Sequence, residues 1–203
     1  MIELRNATPK AIRYACMHFH YAKSVPSVQY GYNVYQDGEW CGVILFGSGA
    51  TPNIASPFGM IQGEVLELVR VALNGKQNTT SECVAASLRK LHEDAPQIKI
   101  VVSFADEDQN HVGTIYQATN WIYLGRYGKG ERSAFIINGK KTHPRTIGSA
   151  GGVQSIKWIR ENLDPEASEF FTKGKEKYIF VFNKRLRREW LKQAQPYPKK
   201  AGD

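Results

Sequence analysis

Between Glu64 and Phe104 the chain carries two apolar strands joined by one amphipathic helix, and this stretch constrains the fold more than any other. Glu64 to Leu73 alternates as a strand. Asn74 to Thr80 is a polar turn. From Ser81 to Asp94, Val84, Leu88 and Leu91 recur three to four apart, the period of a helix with one buried face. Ile98 to Phe104 is a short apolar run, as expected of a buried strand. Strand, helix and strand in this order predict a βαβ unit at the centre of a sheet.

The flanking elements extend that sheet. Ile2 to Leu4 reads as a first strand, and Thr8 caps a helix that has Pro9 in its first turn and runs toward Phe19. Pro26 stops it. Gln29 to Gln36 and Trp40 to Phe46 form a hairpin around Asp37-Gly38, a strong turn pair. Gly47 to Gly63 is rich in Gly, Ser and Pro, and its length for a compact domain points to a functional loop. His111 to Thr119 reads as a helix, Trp121 to Arg126 and Ser133 to Ile137 as strands, and Thr142 to Val153 as an exposed loop. Ser155 to Asn162 opens with a capping signature, and Lys177 to Phe182 is a last strand. The order predicts an α/β fold with a mixed sheet. Its expected division is a catalytic domain at 1–183 and a basic tail at 184–203, a short helix followed by a Pro-rich disordered end.

Bulk properties exclude several classes. No run approaches the ~20 apolar residues of a membrane span. Met1 to Thr8 lacks the apolar core of a signal peptide, so the cytoplasm is the expected compartment. Cys16, Cys41 and Cys83 are widely spaced, with no CxxC pair for a zinc ribbon or redox motif. The formal net charge is +8, and it is uneven. Most of the excess lies after Phe170, in Lys173, Lys175, Lys177, Lys184, Arg185, Arg187, Arg188, Lys192, Lys199 and Lys200. A concentrated positive field favours phosphate backbones or anionic surfaces. The alternative is a solubilising tail.

The turn Asn74-Gly75-Lys76-Gln77-Asn78-Thr79-Thr80-Ser81 feeds a helix N-terminus. Unpaired backbone N–H groups and the helix dipole favour an anion there, such as a pyrophosphate. The order of elements resembles the Gcn5-related acetyltransferase superfamily, in which this turn grips acyl-coenzyme A. That resemblance implies Leu73, Asn74, Asn78, Thr80 and Ser81 as cofactor-binding residues. The superfamily's run carries spaced glycines, whereas this chain has Gly75 alone. Acetyl-CoA and another acyl or aminoacyl donor therefore both stay open, as does a plain helix cap at Thr80 or Ser81. The segment from His111 to Gly125 resembles the superfamily's late helix and strand, and makes Tyr116 a candidate general acid. The alternative for Tyr116 is a core tyrosine.

His20-Tyr21-Ala22-Lys23 ahead of Pro26 narrows the resemblance to the Mom proteins of Mu-like phages. Glu67-Leu68-Val69-Arg70, Ser103-Phe104-Ala105-Asp106 and Gly113-Thr114-Ile115-Tyr116-Gln117-Ala118 match as well. The resemblance implies conversion of adenine in double-stranded DNA to an N6-carbamoylmethyl (acetamido) form that shields phage DNA from host restriction. It implies His20, Tyr21, Arg70, Asp106 and Tyr116 as functional positions. Asp106, just past the end of a central strand, is placed where ligands bind in open α/β sheets and is the candidate base. His20 can relay a proton near neutral pH. His20, Tyr21 and Asp106 could together hold one metal ion such as iron, with His111 a further ligand. Blander readings stand beside these. His20 could face a helix C-terminus, and Asp106-Glu107-Asp108 could simply start a helix. Arg70 on a strand needs an anion, either a carboxylate or a ligand phosphate.

Lys184, Arg185, Arg187 and Arg188 in the tail, with Lys140, Lys141 and Arg145 in the loop, are candidate contacts to DNA phosphates. Chemistry on N6 requires the adenine to leave the stack. The competing functions are an N-acetyltransferase of a protein or small amine and a non-catalytic DNA-binding module.

Overall fold

The computed structural model describes residues 1–49 and 53–199, so part of the loop at 47–63 lies outside the described residues. The chain forms two compact units. Among the described residues the first takes 1–49, 53–104, 113–125 and 177–199, and the second 105–112 and 126–176.

A seven-stranded mixed sheet builds the first unit. Its strands are β1 (Ile2–Asn6), β2 (Tyr30–Gln36), β3 (Glu39–Gly47), β4 (Val65–Leu73), β5 (Ile100–Asp106), β6 (Ile122–Tyr127) and β10 (Lys175–Val181). They lie in the order β1-β2-β3-β4-β5-β10-β6. Asp37 and Gly38, at φ 53° and 87°, make the β2–β3 turn, both in the left-handed region that such a hairpin demands. The β4–β5 pair is parallel, as the βαβ pattern requires.

Helix α1 (Pro9–His18) starts at Thr8, whose hydroxyl accepts from Ala11 N, with Pro9 fixing the first turn. Its Ala15 and Cys16 pack against Val43, Leu45 and Ala72. Helix α2 (Thr80–Asp94) buries Val84, Leu88 and Leu91, the stripe its sequence spacing marks. The phenol of Tyr32 on β2 donates to Asp94 Oδ2 at 2.9 Å. The cap of α2 is Thr79, accepting from Glu82 N, one residue before the expected Thr80 or Ser81. Its backbone is extended at φ −139°, so the chain turns into the helix one step earlier.

Helix α3 (Thr114–Gln117) is shorter than the expected 111–119. Gly113 precedes it at φ 80°, and a Cβ there would lie 2.4 Å from the Tyr178 ring. Only glycine suits both constraints. Helix α6 (Lys184–Leu191) is capped by Asn183 and sets Leu186 and Trp190 against the core of Val65, Ile100, Val102, Ile179 and Val181. The chain beyond it is ordered to Lys199, contrary to the expectation of a disordered end. Gln195 N donates to Tyr123 O at 2.9 Å, and Tyr197 Oη donates to Trp121 O at 2.5 Å. The tail thus covers part of β6, the last strand of the sheet.

The second unit holds a three-stranded sheet, β7 (Arg132–Ile137), β8 (Lys140–Thr142) and β9 (Ser168–Phe171), in the order β8-β7-β9. Helices α4 (Pro144–Ser149) and α5 (Ile156–Asn162) complete it around Phe135, Ile147, Ile159 and Ala167. The expected loop at 142–153 therefore contains a helix. Pro144 stands at its first position, the His143 ring accepts from Arg145 N, and Ile147 is buried. Burial, with the charge of Arg145, holds the His143 imidazole below its usual range and keeps it neutral enough to accept.

Candidate active site

Strands β4 and β5 stay paired over only three positions: Val65 with Ile100, Leu66 with Val101 and Glu67 with Val102. Both continue past that point, β4 to Leu73 and β5 to Asp106, with no further pairing to each other among the described residues. A parting between parallel strands toward their C-terminal ends is where open α/β sheets place ligands. On the other side of β4 the register with β3 shifts between Leu68 and Arg70, leaving Val69 as an extra, bulged residue.

Two side chains and a backbone carbonyl meet at the parting. Ser103 Oγ lies 3.2 Å from Leu68 O and 2.8 Å from the Tyr116 phenol, all buried. Tyr116 packs against Trp121 and Tyr178 at ring-centroid distances of 5.0 and 5.1 Å. Burial pushes its phenol up to about 12. The Ser103 hydrogen bond opposes that rise, while nearby Tyr21 and Glu67 add to it. Tyr116 is thus a buried tyrosine, as its bland reading holds, and also one whose hydroxyl meets Ser103 at the strand parting.

Arg70 projects from β4 beside the bulge. Its Nη1 donates to Val69 O at 2.8 Å and its Nη2 to Ser24 Oγ at 3.1 Å. Its Nε is buried and has no hydrogen-bond partner, and among the described residues no carboxylate pairs with it. Of the two anions a strand arginine could seek, no carboxylate meets Arg70 among the described residues.

His20 and Tyr21 follow α1 and stack at 4.3 Å. His20 Nδ1 accepts from Ala22 N at 3.1 Å, so the neutral ring carries its proton on Nε2. Tyr21 is 51% exposed. The first unit thus holds Arg70 and Tyr116, with His20 and Tyr21 after α1, while Asp106 and His111 belong to the second. The Asp106 carboxylate accepts from Asp108 N at 3.0 Å and its carbonyl from His111 N at 3.1 Å. It caps the short turn Glu107–Gln109, so the acidic run does start a helical turn.

Among the described residues no three His, Cys, Asp or Glu side chains gather as a metal site. With His20 Nδ1 also engaged, the expected iron finds no support.

The expected cofactor turn is internally braced. Asn74 Nδ2 donates to Trp40 O, Asn74 Oδ1 accepts from Lys76 N, and Thr80 Oγ1 accepts from Gln77 Nε2. Leu73 is the last residue of β4, Asn78 is exposed and Ser81 lies in the first turn of α2. The Thr79 cap satisfies the N–H of Glu82, and helix geometry leaves other first-turn amides available to a phosphate.

The basic candidates divide. In α6, Lys184, Arg185 and Arg188 are exposed, while Arg187 donates to Asn120 O at 2.6 Å. In the second unit, Lys140 and Arg145 are exposed and Lys141 is engaged, with Nζ 3.3 Å from Asp108 Oδ2 and 3.6 Å from the Phe170 ring centroid.

Ser103 and Glu67 stand within segments that carry the resemblance, yet the sequence alone assigns them no role. The available signal was a serine in the otherwise apolar run Ile100-Val101-Val102-Ser103-Phe104. A polar side chain at the centre of a buried strand requires a partner.

The sheet order, the parting and the helix that feeds it define an acetyltransferase fold. An aminoglycoside acetyltransferase in complex with coenzyme A superposes with a TM-score of 0.50 at 11% identity, covering 93% of this chain and 98% of that one. A complex of such an enzyme with coenzyme A and kanamycin gives 0.50 at 10% identity, with 93% and 98% covered. The chain belongs to the Mom protein family, which matches residues 1–199. The methylcarbamoylase Mom of Escherichia phage Mu is 26% identical over 190 residues, 89% of this chain and 76% of that protein. No helix among the described residues is long and apolar enough to cross a membrane.

Proposed function

We propose that this protein is a transferase that modifies adenine in double-stranded DNA at N6, adding a carbamoylmethyl group. Membership in the Mom family and the name of the phage Mu relative support that reading. The observation that carries it to this site is Arg70, a partly buried guanidinium with an unpartnered Nε and no carboxylate, set beside the parted strands. It is poised for an anion or a polarised carbonyl of the substrates.

A thioester donor supplies an activated acyl carbon and a thiolate to be protonated, and its transfer gives an N6-acyl adenine that further chemistry must convert to the carbamoylmethyl form. The first turn of α2, from Thr80 and Ser81, would hold its phosphates. An aminoacyl donor remains the alternative. Tyr116 keeps its proton at neutral pH and serves as the acid. Arg70 orients the transferred group. Asp106 is the proposed base, and His20 a proposed proton relay. Lys184, Arg185 and Arg188 contact backbone phosphates, an electrostatic, sequence-independent role.

Protection from restriction tests the reading. Plasmid DNA from cells expressing the protein should resist endonucleases whose sites contain adenine, and DNA from cells expressing Arg70→Gln should be cut. Equal cutting of both contradicts it. Acetyl-CoA hydrolysis or transfer to small amines without DNA would instead favour the N-acetyltransferase reading.

A further inference from the structure

We infer that Ser103 is a positioning residue whose hydroxyl reverses direction during transfer, first holding the Tyr116 proton inward and then donating to the phenolate that Tyr116 leaves behind. This rests on the reading of Tyr116 as the acid.

Ser103 has one hydroxyl proton and two oxygen neighbours, Leu68 O at 3.2 Å and Tyr116 Oη at 2.8 Å. A carbonyl can only accept, so the Leu68 contact is a hydrogen bond only when Ser103 donates to it. The Tyr116 phenol must then donate to Ser103. The resting chain runs Tyr116 to Ser103 to Leu68 O, with every donor used, in a buried site where an unmade bond is costly.

In that arrangement the Tyr116 proton is turned away from the substrates. When Tyr116 protonates the leaving atom of a thioester donor, the phenol O–H bond breaks and an S–H bond forms. The phenolate is then buried, a state that burial opposes. Rotation of the Ser103 hydroxyl from Leu68 O to the phenolate gives it a donor 2.8 Å away with no backbone movement. In the acylation step the proton that N6 sheds on bonding to the acyl carbon leaves through the base and returns to the phenol through solvent, so protons balance over that step. Ser103 shares β5 with the strand parting, and so does not depend on loop order.

The test replaces Tyr116 by a ring-fluorinated tyrosine that titrates within the stability range, and follows its 19F resonance against pH. It does so in the otherwise unaltered protein, in Ser103→Ala and in Ser103→Thr. Ser103→Ala should raise the midpoint, because the phenolate loses its donor, and Ser103→Thr, which keeps a hydroxyl, should not. In cells, with ordinary tyrosine, Ser103→Ala should slow DNA modification on the order of tenfold to a hundredfold, the worth of one hydrogen bond to a charged group. The fluorinated, more acidic phenol should recover part of that loss. An unchanged midpoint in Ser103→Ala overturns the proposal. So does loss of modification that neither threonine nor the acidic phenol recovers, which marks a packing role. Should Ser103→Ala fail to fold, a raised midpoint in a folded Ser103→Thr would also overturn it. If even the unaltered protein leaves DNA unmodified, the functional reading fails while the resonance midpoint still decides the role of Ser103.

Discussion

Arg70 and Ser24 meet at 3.1 Å, the guanidinium Nη2 donating to a neutral hydroxyl, although residues 1–199 contain many carboxylates. A cation held by a hydroxyl and a backbone carbonyl, with its Nε buried and bare, contributes little to stability if the proposed ligand role is its purpose. Arg70→Met should leave the melting temperature unchanged or raise it, while modification falls on the order of a hundredfold or more. Arg70→Lys should not recover it, because a point charge cannot reproduce the fork. Melting curves and nucleoside analysis of the same preparations check both halves. A large loss of stability would make Arg70 structural.

Tyr116 sets an alkaline limit. Burial raises its phenol to about 12, against roughly 10 in the unfolded chain. The unfolded state therefore loses this proton first as pH rises. The stability it contributes is complete below pH of about 10 and is lost as pH climbs toward 12. Tyr32, raised by burial and by its bond to Asp94, adds in the same direction. Alkaline unfolding followed by circular dichroism should begin at higher pH in Tyr116→Phe. The same variant should transfer on the order of a hundredfold more slowly, since its acid is gone. An onset at unchanged pH would show that the phenol is not buried as described.

Gly113→Ala places a methyl 2.4 Å from the Tyr178 ring on a backbone at φ 80°. The left-handed conformation alone costs about 1–3 kcal/mol, and the clash adds to it. Denaturant midpoints should fall clearly. Because α3 carries Tyr116 three residues on, modification should fall further than stability explains. A near-normal midpoint would mean that Tyr178 yields freely.

The basic helix separates binding from structure. Lys184→Gln, Arg185→Gln and Arg188→Gln together should flatten the log–log salt dependence of DNA binding, by up to about 0.9 for each phosphate no longer neutralised. Arg187→Gln, which breaks the bond to Asn120 O, should instead lower stability with little change of slope. A slope unaltered by the triple change removes α6 from the DNA interface.

Regular patterns were the legible part of this sequence. The Val84, Leu88 and Leu91 stripe, the Asp37-Gly38 turn and the alternation of β4 each follow from one local rule. α4 was hidden because it buries a single apolar side chain, Ile147. The four residues of β9 are too few to show a period. The order of the tail depends on Gln195 and Tyr197 bonding to Tyr123 and Trp121, partners far off in sequence that no local pattern encodes. Arg70 stood out as a charge on a buried strand, and Tyr116 by resemblance. Ser103 takes its meaning only from the partner that the fold brings to it.

Mass spectrometry of nucleosides from the DNA of expressing cells tests the central claim most directly. Cells with the unaltered protein should yield a deoxyadenosine heavier by a carbamoylmethyl substitution, cells with Asp106→Ala should not, and cells with Tyr116→Phe should yield far less of it. Unmodified deoxyadenosine in cells that contain folded protein, or a heavier nucleoside that persists in both variants, would contradict that claim.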